Sequence, residues 1–225
     1  NTLDRVSTFA TGTLGGNDEI YGNGGEDLAM GGSGGDLIYG DFYKGSLIAA
    51  LNPGDDTLLG DGGEKTFQFE NSIVLRSIST DQGGSDTIHG NDHSDVVMGG
   101  FDGDLLYGES DADNLDLQFG RAGDDTLLGD NGRLDWTLPE DTILGRQDVF
   151  AHQGDSIIVL LDGGSADPAT LDRIMTIAPT HGGSDVIFGN GNTSDVAGDL
   201  IFGGTGNDTV YGDADESAPD NVDGP

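Results

Sequence analysis

The chain has 225 residues with 8 Lys plus Arg against 42 Asp plus Glu, and a formal net charge of −34 excludes nucleic acid and anionic membrane surfaces as partners. Its longest apolar run, Ile157 to Leu161, falls far below the roughly 18 residues of a membrane span, so no membrane insertion is expected. There is no Cys for a disulfide framework, and the chain opens at Asn1 without Met or a signal peptide, as a piece of a longer protein would.

An acid excess of this size ordinarily marks a solvated or disordered segment. Here the acids keep a fixed phase. Residues 1–12 are a polar lead-in with one candidate strand. A first repeat block spans 13–63, in which Asp18, Asp27 and Asp36 stand nine residues apart. In the two nines from Gly22 to Tyr39, Gly occupies positions one and four, Asp position six and an aliphatic or small residue position eight. The insertion 42–51 breaks this block, with Ser46 placed to cap a helical turn that ends at Asn52-Pro53. One unit then returns around Asp56. The excursion 64–82 alternates polar and apolar residues in TFQF and IVLRSI, which predicts a pair of strands.

The second block, 83–132, holds Asp86, Asp95, Asp104 and Asp113 at the same spacing, then Asp125 after three extra residues, Leu117 to Phe119. A longer excursion, 133–181, contains the only Trp, Trp136. Its DPATLDRIM segment offers a helix capped by Asp167 with Pro168 in first position, while alternation through Ile177 offers a strand. The third block, 182–213, carries Asp185, Asp199 and Asp208, and residues 214–225 read as a disordered tail or linker.

A fixed short period signals a solenoid whose units bury their apolar faces only against one another. Glycine-dense positions one to six favour turns, and positions seven to nine are β-prone and alternate out, in, out. The inward residues, and hence the predicted core, are Ile20, Ala29, Ile38, Leu58, Ile88, Val97, Leu106, Leu115, Leu127, Ile187, Ile201 and Val210. Ninth-position Tyr21, Tyr39, Tyr107, Phe188, Phe202 and Tyr211 point outward, either to pack under the excursions or to associate with another copy. One aliphatic per nine residues is a thin core, so stability must also come from outside the chain.

Two larger regularities overlie the nine. LLGDGG at 58–63 matches LLGDNG at 127–132, and GGSDTIHGN at 83–91 matches GGSDVIFGN at 182–190, so a cassette is duplicated. Gly-Asp replaces Gly-Gly at Asp41, Asp61, Asp130 and Asp213, before each exit, and reads as a stop signal whose side chain bonds backbone lacking a next turn.

The frame Gly-Gly-x-Gly-x-Asp-x-U-x, with U a large aliphatic, resembles the calcium-binding nonapeptide of the RTX family. Gly31 to Tyr39 fits it throughout, with looser copies at Gly99 to Tyr107 and Gly203 to Tyr211. The resemblance implies an all-β fold, a parallel β-roll or β-helix solenoid with non-repeat excursions, in which two nonapeptides make one coil. It also implies several Ca²⁺ ions held between turns. The implied ligands are Asp18, Asp27, Asp36, Asp56, Asp86, Asp95, Asp104, Asp113, Asp125, Asp185, Asp199 and Asp208, with backbone carbonyls of Gly22, Gly24, Gly31, Ser33, Gly99, Phe101, Gly203 and Thr205. Coils about 4.8 Å apart would stack Asp18 with Asp36, Asp86 with Asp104 and Asp95 with Asp113. Each pair would repel by about 3 kcal/mol at an effective dielectric of about 20. Ca²⁺, with its many oxygen ligands, suits such turns better than Mg²⁺.

Competing chemistries are weaker. GGSGG at 31–35 matches a nucleophile elbow, but that motif needs a strand before it and a helix after. His89 and His93 have zinc-helix spacing, yet Gly90 lies between them. Asn192 opens a formal glycosylation sequon. The expected function is therefore non-enzymatic: a calcium-stabilised, secreted or cell-surface structural or adhesive repeat segment, including a fibre-forming one built from further copies of itself. The alternative is a calcium-dependent folding and secretion module of a type I-secreted exoenzyme or toxin.

Overall fold

The computed structural model describes residues 5–8, 15–41, 53–67, 73–109, 123–136, 150–153, 156–160, 173–189 and 199–212. Among them every regular element is a strand: β1 (Arg5–Ser7), β2 (Glu19–Tyr21), β3 (Leu28–Gly32), β4 (Leu37–Tyr39), β5 (Thr57–Asp61), β6 (Gly63–Phe67), β7 (Ile73–Ser77), β8 (Thr87–His89), β9 (Val96–Gly100), β10 (Leu105–Tyr107), β11 (Thr126–Asp130), β12 (Gly132–Asp135), β13 (Phe150–Gln153), β14 (Ser156–Leu160), β15 (Arg173–Thr176), β16 (Val186–Phe188), β17 (Leu200–Phe202) and β18 (Thr209–Tyr211).

The repeat strands alternate between two parallel sheets, because glycine-rich turns reverse the chain after every three to five strand residues. One sheet runs β18-β16-β10-β8-β4-β2 and the other β17-β11-β9-β5-β3. The register follows the nine-residue phase. Ile20, Ile38, Ile88, Leu106, Ile187 and Val210 align across the first sheet. Ala29, Leu58, Val97, Leu127 and Ile201 align across the second. Strands from all three sequence blocks are neighbours in both sheets, so the blocks form one continuous roll.

The inward residues make the core. Ala29, Ile38, Leu58, Ile88, Val97, Leu106, Leu127 and Ile187 are buried in one cluster, with Ile20 and Ile201 packed partly against it. Val210 departs from the expectation: it lies on edge strand β18 and is 47% exposed. Leu115 lies outside the described residues.

The lead-in strand and the excursions build a third, antiparallel sheet, β1-β6-β7-β12-β15-β14-β13. The alternation in the first excursion does give paired strands, β6 with β7. In the second, the strand alternative holds over Arg173–Thr176, while Asp167 and Pro168 fall outside the described residues. This apron lies over the outer face of the second roll sheet, where Leu59, Met98 and Leu128 pack with Leu75, Leu134 and Ile174. Phe202 and Trp136 join that cluster. Charge pairs stitch the apron together, with Arg76 Nη2 2.9 Å from Glu64 Oε1, and Asp135 held by Arg133 at 2.8 Å and Arg173 at 2.7 Å.

On the first roll sheet the ninth-position rings form a ladder. Tyr21, Tyr39, His89, Tyr107, Phe188 and Tyr211 stack with centroid separations of 4.6 to 5.3 Å. The outward aromatics therefore divide, Phe202 beneath the apron and the others in this column.

Candidate metal sites in the turns

The turn conformation follows from which residues tolerate a left-handed backbone. In five turns without an insertion whose residues are all described, positions two and four have positive φ: Asn23 and Gly25, Gly32 and Gly34, Asn91 and His93, Gly100 and Asp102, and Gly204 and Gly206. Gly, Asn, Asp and His accept this region at low cost. Position one needs Gly for a different reason. A Cβ on Gly31 would overlap Asp36 Oδ2 and the Gly60 carbonyl oxygen, and one on Gly60 would overlap Asp86 Oδ2. Equivalent collisions with the sixth-position Oδ2 occur at Gly40, Gly90, Gly99, Gly108, Gly129 and Gly189.

Each sixth-position carboxylate has two distinct oxygens. Oδ1 accepts the backbone N–H of the Asp one coil earlier. On one side the bonds run Asp18 to Asp36 (2.8 Å), Asp36 to Asp86 (2.7 Å), Asp86 to Asp104 (2.8 Å), Asp104 to Asp185 (2.8 Å) and Asp185 to Asp208 (3.1 Å). On the other they run Asp27 to Asp56 (2.8 Å), Asp56 to Asp95 (2.7 Å), Asp95 to Asp125 (2.8 Å) and Asp125 to Asp199 (3.2 Å). Oδ2 of Asp27, Asp36, Asp56, Asp86, Asp95, Asp104, Asp125 and Asp185 is buried with no hydrogen-bond partner. Each lies against the Gly of position one.

These bonds confirm Asp18 with Asp36 and Asp86 with Asp104 as stacked neighbours, and they correct the third pairing. Asp95 stacks on Asp125, because Val97 registers with Leu127. Asp113 lies outside the described residues.

Among the described residues, burial and mutual repulsion set the electrostatics of the carboxylate row. Burial, reinforced by neighbouring carboxylates, pushes Asp56 and Asp185 up to about 7, Asp86 and Asp125 to about 8 and Asp104 to about 10. Asp36 is raised, and Asp95 is raised well above the usual carboxylate range. A buried carboxylate oxygen with no donor calls for a cation. Among the described residues no three His, Cys, Asp or Glu side chains converge. An ion between two turns would therefore draw the rest of its shell from carbonyls, such as those of Gly60, Gly99 and Gly203 that crowd the position-one glycines. Two carboxylates with neutral carbonyl oxygens is the donor chemistry of a hard cation that takes many oxygens.

The position-one glycines reveal a feature that counting along the sequence misses. Gly40 serves Asp56, Gly60 serves Asp86, Gly108 serves Asp125 and Gly129 serves Asp185. Each insertion thus sits inside a single nonapeptide, between positions two and four. The position-two acid closes the neck by accepting the N–H of the returning position-four Gly. Asp41 takes Gly54 (3.1 Å), Asp61 takes Gly84 (3.2 Å), Glu109 takes Gly123 (2.6 Å) and Asp130 takes Gly183 (2.9 Å). Asp61 and Asp130 also reach the next coil through the N–H groups of Phe101 and Thr205. The Gly-Asp step is therefore a clasp, which corrects the stop-signal reading: the turn does resume, and the carboxylate bonds it. Asp213 lies outside the described residues.

Of the expected carbonyl ligands, Gly99 and Gly203 point at the preceding coil. Gly22 and Gly24 lie in the Asp27 turn and Gly31 and Ser33 in the Asp36 turn, while Phe101 and Thr205 donate their N–H groups to Asp61 and Asp130. Ser33 sits in a turn between strands, without the helix a nucleophile elbow needs. His89 is a ring in the ladder and His93 a turn residue, so they share no helix; Asn192 lies outside the described residues.

Carboxylates buried against glycine turns in successive internal coils, on both edges of a two-sheet stack, define a calcium-binding parallel β-roll. A four-copy family model described as the RTX calcium-binding nonapeptide repeat matches residues 13–42, 80–106, 89–118, 119–133 and 196–216. The matched segments are RTX repeats, and the cofactor of such repeats is Ca²⁺. No curated protein and no solved structure matches the chain.

Proposed function

We propose that this chain is an extracellular structural or adhesive segment whose β-roll is held together by Ca²⁺ between successive coils. The ligands in this reading are Asp18, Asp27, Asp36, Asp56, Asp86, Asp95, Asp104, Asp125, Asp185, Asp199 and Asp208, completed by carbonyls of the glycine turns. The observation that carries it is the set of eight sixth-position Oδ2 atoms, all buried and all without a hydrogen-bond donor. Bound calcium supplies the positive charge that lets these carboxylates stay ionised while stacked. The chain's own groups do the rest: Oδ1 fixes each carboxylate to the coil before it, and position-one Gly leaves room for Oδ2.

Proteins with RTX repeats are typically secreted. Extracellular calcium modules bind at about 10⁻⁴ to 10⁻³ M, so folding would be set by compartment. No catalytic role is assigned to these residues. Far-ultraviolet circular dichroism during a Ca²⁺ titration tests the reading, with chelator reversal and Mg²⁺ for comparison. We expect β signal to rise cooperatively in Ca²⁺ and to fall in chelator. An equal signal in chelator and in Ca²⁺ would overturn the coupling.

A further inference from the structure

The two ends of the roll carry complementary halves of the coil-to-coil bonding pattern. Along one edge the backbone N–H of each sixth-position Asp donates to the Asp of the next coil, from Asp18 through Asp185. Asp208 accepts the last of these bonds, and among the described residues its own N–H has no acceptor. At the other end, nothing among the described residues donates to the carboxylate of Asp18, which is exposed. A second set behaves alike: Gly22, Gly40, Gly90, Gly108 and Gly189 each donate to a ninth-position carbonyl of the next coil, and Gly212 stands where the next such donor belongs.

The apolar surface agrees. Val210 and Tyr211 are the large hydrophobic residues exposed among the described ones, at 47% and 38%, and both lie on edge strand β18. Every preceding residue of the Val210 row in that sheet meets a further strand on the β18 side. Opposite lies β2, the other edge, with Ile20 in the same row. Gly16 marks the axial direction there. The Cβ position of its equivalent one coil on, Gly34, meets the Gly16 carbonyl, whereas a Cβ on Gly16 meets nothing.

We propose that the β18 end of one copy stacks on the β2 end of a second copy in parallel register, setting Val210 beside Ile20, Tyr211 beside Tyr21 and the Asp208 N–H against Asp18 of the next copy. This rests on the calcium reading above, because the junction repeats the internal gap between Asp185 and Asp208, with two carboxylates to be bridged. The contact is head-to-tail and does not close on itself, so it propagates into filaments.

Sedimentation velocity in Ca²⁺ and in chelator tests the proposal with wild type, Val210→Asp and Gly16→Arg, two changes at exposed end positions that spare the internal coils. In Ca²⁺, wild type is expected to form concentration-dependent species at multiples of 23.2 kDa. Each variant alone is expected to remain monomeric with an unchanged calcium response in circular dichroism. An equimolar mixture of the two is expected to stop at twice the monomer mass, because one open end of each kind remains. Wild type that stays monomeric while its dichroism shows calcium-dependent folding would overturn end-to-end stacking alone. So would variants that associate as wild type does, which places the contact on a side face. A chain whose dichroism ignores Ca²⁺ would overturn the calcium reading and this proposal with it.

Discussion

Replacing Asp104 by Asn should stabilise the calcium-free roll and weaken the calcium-loaded one. Asp104 lies mid-stack, 3% exposed, between Asp86 and Asp185, and burial pushes its carboxyl to about 10. In chelator at pH 7.5 the folded chain must protonate this group or bury its charge. Relative to the ordinary value of 3.8, protonation costs up to about 5 kcal/mol at about 1.36 kcal/mol per unit. Relaxation of the site reduces that ceiling, so a gain on the order of 2 to 4 kcal/mol is expected from the neutral amide. Asn keeps the Oδ1 acceptor for Asp86 N–H and places a donor where Oδ2 has none. With Ca²⁺ present the sign reverses, because a charged ligand is lost from the gaps on either side. Removing one partner of a buried charge pair costs about 3 to 5 kcal/mol, and each 1.4 kcal/mol is a factor of ten, so the calcium midpoint should rise at least tenfold. Urea unfolding in chelator and calcium titration by circular dichroism measure the two arms. An Asn variant less stable than wild type in chelator, or one with an unshifted calcium midpoint, would refute the reasoning.

Acid should act in opposite directions on the two states. Without calcium the folded chain holds more protons than the unfolded one between about pH 4 and pH 8, since Asp56, Asp86, Asp125 and Asp185 are raised to about 7 or 8, so its stability rises as pH falls through that window and is lost as pH rises. The loaded chain should instead release calcium on acidification, because its ligands must be deprotonated, and thermal melts at pH 5 and pH 8 separate the cases. Gly31→Ala should cost about 1 to 3 kcal/mol, since its Cβ would overlap Asp36 Oδ2 and the Gly60 carbonyl, and urea midpoints check it. Asp130→Ala should cost about 1 to 3 kcal/mol by leaving the N–H groups of Gly183 and Thr205 unbonded, with faster proteolytic nicking within 131–182 as the readout.

Much of the roll was legible because one phase carries both its core and its charge. A count in nines places Ile38, Leu58 and Leu127 inside and Asp36, Asp56 and Asp125 at the turns, as the structure has them. The count fails where chain is inserted. Asp95 and Asp113 are eighteen apart, the length of one coil, yet coils stack by geometry, and the next carboxylate on that edge is Asp125. Gly60 and Asp86 belong to one turn although 26 residues separate them, which no local pattern announces. The apron is visible only in part: alternation marks β6 and β7, but pairing β7 with β12 depends on the roll bringing residues 73–77 and 132–135 together. Val210 shows the remaining gap, since phase assigns its direction and only position along the stack decides its exposure.

The clasped necks have a consequence for how such a molecule diversifies. Polypeptide of very different length enters and leaves through one standard socket, fastened by a single acidic side chain, while the coils on either side keep their pitch. Evolution, or a protein engineer, can exchange the cargo at that socket without re-tuning the spindle that carries it.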